Sequence, residues 1–217
     1  MCAKELHVDV RKVRKYVLQE LRALRPIDVQ MATICASCRE MAPHSIWSEV
    51  DAVDWKKGLS QFAKWFPKPF ELEPPGSLKA LWIGLFNPVG LLRRTNTDCY
   101  VAGTSRFIDA GVDWACNPSW FPNGRYCNSK ALKPLNRFEM RTKDAGYIGL
   151  EQAISEAFVA FAWAHAIQII GPARLLGVNS SLGLGFGWDS GDNLVLGKLV
   201  PDGLVLADDL EALYKKT

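Results

Sequence analysis

The sequence predicts an α+β fold in which a helical N-terminal part packs against a mixed, largely antiparallel β-sheet part with one central buried helix. Three observations carry this. Apolar residues recur at three- and four-residue steps as far as residue 66, four prolines interrupt the chain between residues 67 and 76, and beyond them the apolar runs shorten to strand length between Asn, Asp, Gly and Pro.

In order along the chain, Val10, Val13, Val17, Leu21 and Leu24 mark an amphipathic helix over 9–25, with Asp9 as N-cap and Arg11, Lys12, Arg14 and Lys15 facing away from the core. Pro26 opens a second helix, whose apolar side is Val29, Ala32, Ile34, Cys35, Cys38 and Met41, and Pro43 stops it. A third is expected from Ser48 to Phe66, with Val50, Val53, Leu59, Phe62 and Phe66 on one stripe and a cap between Ser48 and Asp51. The first 66 residues therefore read as wholly helical. Prolines remove donors and fix backbone angles, so the connection at 67–77 is expected to hold neither helix nor central strand. It divides the chain into a helical part, 1–66, and an α+β part, 78–217, expected to form one compact unit.

After that connection the residues from Leu78 to Phe86, Cys99 to Ala102 and Tyr126 to Cys127 read as strand cores. Leu150 to Ile170 is one Ala-rich helix, apolar nearly all round, which requires packing on several sides. Leu182 to Trp188, Asn193 to Leu199 and Gly203 to Leu206 then form a β-meander through turns at 189–192 and 201–203, and a short helix is expected from Asp208 to Lys215.

Composition narrows the class of protein. The chain has 217 residues, 48% hydrophobic and 23% charged, which is globular rather than disordered or collagen-like. Its net charge of +3 is local: residues 1–30 hold seven Lys and Arg against four Asp and Glu, and the rest balances. There is no global basic field of the kind that neutralises many phosphates. The opening Met1-Cys2-Ala3-Lys4-Glu5-Leu6 is followed by charged residues rather than an apolar run, so a cytoplasmic protein without a secretory leader is expected. The apolar stretch from Ile154 to Ile170 is interrupted by Ser155, Glu156, His165 and Gln168 and reads as a buried helix, not a membrane span. In that compartment the six cysteines (2, 35, 38, 99, 116 and 127) are expected to be reduced thiols.

The motifs that would signal chemistry fail on their spacing. Cys35-Ala-Ser-Cys38 has the spacing of a redox pair or half a zinc site, but Cys116 and Cys127 stand too far apart to be its second half, and on a helix the first pair shares a buried face. Gly183-Leu-Gly185-Phe-Gly187-Trp188 has Trp188 where a dinucleotide fingerprint needs its third small residue. Gly191 to Lys198 resembles a phosphate loop one residue too long, with Leu199 in place of the hydroxyl. The alternating glycines instead signal a bulge or a close approach to backbone. His165 lies among Phe161, Trp163 and alanines, where a hydrogen-bonded core imidazole is the expectation, and Asp189 with Asp192 suits a hairpin turn. No catalytic residue, cofactor or metal is assigned.

Aromatics supply the remaining signal. Six of the eight tryptophans lie between residues 47 and 120, and the segment from Asp113 to Tyr126 mixes Trp, Tyr and Arg with turn formers. Those three types anchor protein–protein contacts; the same loop also reads as one pinned by its own aromatics. The partner-binding set is Trp114, Trp120, Arg125, Tyr126, Asp189 and Asp192.

Together, the run from Leu81-Trp82 to Phe86-Asn87-Pro88, Tyr100-Val-Ala-Gly103, Asp113-Trp114-Ala115, Trp120-Phe-Pro-Asn-Gly124-Arg125-Tyr126 and Gly187-Trp188-Asp189-Ser190-Gly191-Asp192 resembles a set of bacterial immunity proteins that accompany secreted polymorphic toxins. The resemblance covers roughly residues 78–206. It implies a cytosolic protein that binds and inactivates a cognate protein toxin, for example a nuclease effector of a type VI secretion system, and has no enzymatic activity of its own. Inhibitors of basic nucleases are often acidic, and this chain is not; an acidic patch at Asp98, Asp109, Asp113, Asp189 and Asp192 would have to be local. Two other readings stay open: an enzyme using Cys116, His165 or the Asp189/Asp192 pair, and a nucleic-acid-associated regulator using Arg11, Lys12, Arg14 and Lys15.

Overall fold

The computed structural model describes residues 6–87, 97–108, 113–189 and 193–208. The fold is α+β, with the helices gathered in the N-terminal part and on one face of a five-stranded mixed sheet. The expected helix from Asp208 to Lys215, most of the turn at 189–192, and Asp109 and Asp192 lie outside the described residues.

Helix α1 (Val10–Ala23) begins where the Asp9 carboxylate accepts the Lys12 amide at 3.1 Å, and it buries Val13, Val17, Leu18 and Leu21. Its solvent side is smaller than its pattern implied. Arg14 turns inward and donates from Nε and a terminal nitrogen to both oxygens of buried Glu156, at 3.0 and 3.1 Å, so a bidentate ion pair replaces an exposed cation. Helix α2 (Ile27–Met41) follows Pro26 as expected.

The third expected helix is two. α3 (Trp47–Asp51) and α4 (Trp55–Trp65) are separated because Asp54 caps the second, accepting the Lys57 amide at 2.9 Å. The cap expected between Ser48 and Asp51 does not form; Ser48 Oγ donates to the Ser45 carbonyl instead. A short helix, α5 (Lys68–Leu72), occupies the proline-rich connection. Pro67 and Pro69 fall at its start, where a helix has no use for the missing N–H, so the prolines begin a turn of helix rather than forbid one. Nor is the N-terminal part wholly helical, since β1 (Leu6–His7) pairs in parallel with β4 (Tyr147–Ile148).

The main sheet has the order β3-β2-β5-β6-β7, with β2 Ala80–Phe86, β3 Asp98–Thr104, β5 Leu182–Trp188, β6 Asn193–Val200 and β7 Gly203–Leu206. Three of its pairings are antiparallel, including the expected meander of β5, β6 and β7; the pairing of β2 with β5 is parallel. Tyr126 contributes an isolated bridge to Tyr100 rather than a strand. α6 (Lys133–Asp144) and α8 (Pro172–Leu176) flank α7 (Leu150–Ile170).

Helix α7 organises the core. It packs against α1, α2, α4 and α6, and 16 of its 21 residues are buried. It is the one helix among the described residues long and apolar enough to cross a membrane, but 78% of its apolar window is buried, as in the core helix of a soluble protein. Leu81, Ile83, Leu85, Leu184, Phe186 and Leu196 on the inner face of the sheet join the same cluster, which reaches from Val8 to Leu199.

Candidate functional site

Strand alternation sends a second set of residues to the opposite, outer face of the sheet: Ala80, Trp82, Gly84 and Phe86 from β2, Tyr100 and Ala102 from β3, and Gly183, Gly185 and Gly187 from β5. Here the alternating glycines acquire a physical meaning. A Cβ on Gly84 would stand 2.3 Å from the Tyr100 ring, one on Gly183 2.2 Å from Phe107, and one on Gly185 2.7 Å from Trp114. The glycines make a floor against which three aromatic rings pack, and β5 also shifts register between Leu184 and Gly185.

The loop from residue 113 to residue 127 packs Trp114 on this face and then runs along the free edge of β3, with bridges from Trp120 to Gly103 and from Tyr126 to Tyr100. A single 3-10 turn at Asp113–Cys116 lays Trp114 edge-on against Trp82 and Phe107, with ring centres 6.3 and 5.2 Å apart, and leaves it only 5% exposed. Trp120, 7% exposed, exchanges backbone hydrogen bonds with Gly103 at 2.8 and 3.0 Å, donates from Nε1 to the Glu73 carbonyl at 2.9 Å, and packs against Phe70. Both tryptophans from the expected binding set are therefore buried, Trp114 in the outer-face cluster and Trp120 in the main core cluster, and they fix the loop rather than present a surface.

What that anchoring presents is the other end. Phe121 and Tyr126 are 44% and 50% exposed, and the Arg125 guanidinium carbon lies 4.1 Å from the first ring centre and 4.8 Å from the second. Arg125 donates to the Pro122 carbonyl at 3.1 Å, and its buried Nε has no hydrogen-bond partner. Tyr100 sits at the centre, with ring contacts to Phe86, Phe121 and Tyr126, and its hydroxyl donates to Asp189 Oδ1 at 2.7 Å. Burial, with help from that carboxylate, pushes the Tyr100 phenol well above its ordinary pKa, so it stays a donor. Arg125, Tyr126 and Asp189 thus come together around Tyr100, whereas Trp114 and Trp120 are buried. Phe86, Tyr100 and Phe121 complete the patch, although none of them belongs to the expected binding set.

No known family model, curated protein or solved structure matches this chain. Function has to be argued from the geometry.

The groups weighed for catalysis engage different elements. His165 on α7 is hydrogen-bonded through Nε2 to Gln30 Oε1 on α2 at 2.9 Å; because the Gln30 amide nitrogen donates to the Glu20 carbonyl, the imidazole is the donor. Burial lowers its pKa. Cys116 is exposed on the 3-10 turn, and Asp189 is held by Tyr100. Cys35 and Cys38 are buried on α2, and burial drives the Cys35 thiol up to about 12 and Cys38 still higher, the reverse of a reactive cysteine. A groove of about 660 Å³ between α1, α7 and β7 has Arg22, Gln168 and Asp202 as its polar lining and contains none of the groups above.

Proposed function

We propose that this protein is a binding protein that neutralises a cognate secreted toxin, with the outer-face patch of Phe86, Tyr100, Phe121, Arg125, Tyr126 and Asp189 as its contact surface. The observation that carries the reading is Arg125, whose guanidinium packs over two exposed aromatic rings on a loop anchored by buried tryptophans. Arg and Tyr are the residue types that dominate interface energetics, and a pre-ordered cation on a rigid sheet loses little conformational entropy on binding. An inhibitor needs complementary shape and a few desolvated anchors, and no chemistry of its own. The resemblance of residues 78–206 to immunity proteins of polymorphic toxin systems supplies the partner class, a protein toxin in the same cytoplasm.

The test is co-expression with the protein encoded by the adjacent gene. Rescue of growth and a complex that survives size-exclusion chromatography are expected. Arg125→Ala and Tyr126→Ala should each weaken that complex by about 2 kcal/mol, roughly thirtyfold, with the circular dichroism spectrum unchanged. Neither rescue nor complex, from a folded chain, would sink the reading.

A further inference from the structure

Behind the aromatic patch, the start of β3 and the turn after Tyr126 bring two thiols and a carboxylate to one point. The bridge between Tyr100 and Tyr126 sets Cys99 opposite Cys127, with the Cys127 amide donating to the Cys99 carbonyl at 2.9 Å. The two thiols lie within 4.8 Å of each other. Asn128 takes a left-handed conformation (φ 55°), which turns the chain so that the Ser129 amide reaches Asp98 Oδ1 at 3.0 Å; the same oxygen accepts the Cys99 amide at 2.9 Å. That pair of bonds fixes the carboxylate. One ligand atom from each of Asp98, Cys99 and Cys127 lies within 4.8 Å of the other two, the only such group found among the described residues.

We propose that Asp98, Cys99 and Cys127 bind a thiophilic divalent cation of the zinc class. Thiolate sulfur and carboxylate oxygen are the ligands such an ion takes, at about 2.3 and 2.0–2.2 Å, so ligand atoms sharing a tetrahedral ion stand about 3.6–3.8 Å apart. Closing a spread of at most 4.8 Å to that spacing asks for a shift of no more than about 1 Å, within reach of half-buried Cys127. On binding, each thiol passes its proton to solvent and gains a metal–sulfur bond; the carboxylate binds as the anion and water takes the fourth position. Two protons leave and nothing is oxidised. Among the described residues helix-borne Cys35 and Cys38 have no third ligand of this kind, so the site does not follow from the spacing of the cysteines in sequence. Its effect would be to tie β3 to the turn that follows Arg125 and Tyr126, and it stands whether or not the toxin reading holds.

The experiment is titration of the reduced, metal-free chain with cobalt(II), followed by zinc. A sulfur-to-cobalt charge-transfer band that saturates at equimolar metal and is bleached by zinc is expected. Cys127→Ser should remove at least half of the band and weaken zinc binding at least roughly tenfold, Asp98→Asn should weaken zinc binding with the band retained, and Cys116→Ser should change nothing. Circular dichroism checks that each variant is folded, and Asp98→Asn, which can keep both backbone hydrogen bonds, serves if Cys127→Ser is not. No band from the folded wild type would overturn the proposal. So would a band indifferent to Cys127→Ser, or zinc affinity indifferent to Asp98→Asn.

Discussion

The two faces of the five-stranded sheet solve the same burial problem in opposite ways. On the inner face Leu81, Ile83, Leu184 and Phe186 project large side chains into the cluster around α7. On the outer face β2 and β5 supply glycines, and the rings that cover them come from a neighbouring strand and from beyond β3: Tyr100 of β3 folds over Gly84, and Phe107 and Trp114 pack over Gly183 and Gly185. The inner arrangement removes its apolar surface from water completely. The outer one leaves Phe121, Tyr126 and half-buried Arg125 facing solvent. A face that is rigid yet unfinished is suited to a partner; a face that is closed is suited only to stability.

The sharpest way to break this contrast is to measure stability on both sides. Phe158→Ala, at a fully buried ring on α7 packed against Trp55, should cost about 3–5 kcal/mol in urea unfolding, and a loss as large from Phe107→Ala on the outer face would erase the distinction. The floor itself is tested by Gly185→Ala, whose new methyl would press on the Trp114 ring at 2.7 Å and the Leu194 carbonyl at 3.2 Å; a loss of about 1–3 kcal/mol is expected. In a double-mutant cycle Trp114→Ala should relieve much of that penalty, and strict additivity would show that the ring and the glycine do not meet.

A smaller effect belongs to the helical side. Because burial lowers the His165 pKa, the folded chain holds fewer protons there than the unfolded one just below the ordinary imidazole value. The stability from neutral His165 is complete above that value and falls away as the pH drops through it. The urea midpoint should fall between about pH 7.5 and about pH 5.5, and His165→Gln should flatten that slope. The smallest effect is reserved for the exposed patch: Tyr126→Ala should change stability by no more than about 0.5 kcal/mol while it weakens the complex. A large loss of stability there would make Tyr126 part of the scaffold instead.

Much of the fold was legible because local patterns coincide with it. Leu150 to Ile170, Leu182 to Trp188 and Gly203 to Leu206 begin and end where their apolar runs and glycines say they should. The misses share a cause, which is competition that a one-dimensional pattern does not display. Asp54 outbids the continuous stripe from Val50 to Phe62 by capping a new helix. Pro67 and Pro69 were read as breakers, although at a first turn they are compatible with helix. Among its described side chains, α6 buries Leu135, Phe138 and Thr142 in a largely charged run, a stripe too sparse to stand out. Arg14 looked like a surface cation because its partner Glu156 is 142 residues away. The candidate site was half legible: Arg125, Tyr126 and Asp189 converge, but Trp114 and Trp120 spend their rings on anchoring the loop.

The sequence by itself determined the fold class, the meander, the central helix and the reading of the glycine-rich strand as a place of close approach. These depend on periodicity and on residues whose backbone preferences act within a few positions. Only the tertiary structure decided which aromatics face water, that Arg14 meets Glu156, and that Asp98, Cys99 and Cys127 share one point. Those outcomes depend on the parallel pairing of β2 with β5 and on the path of the loop along the free edge of β3, contacts between residues far apart in the chain that no local pattern encodes.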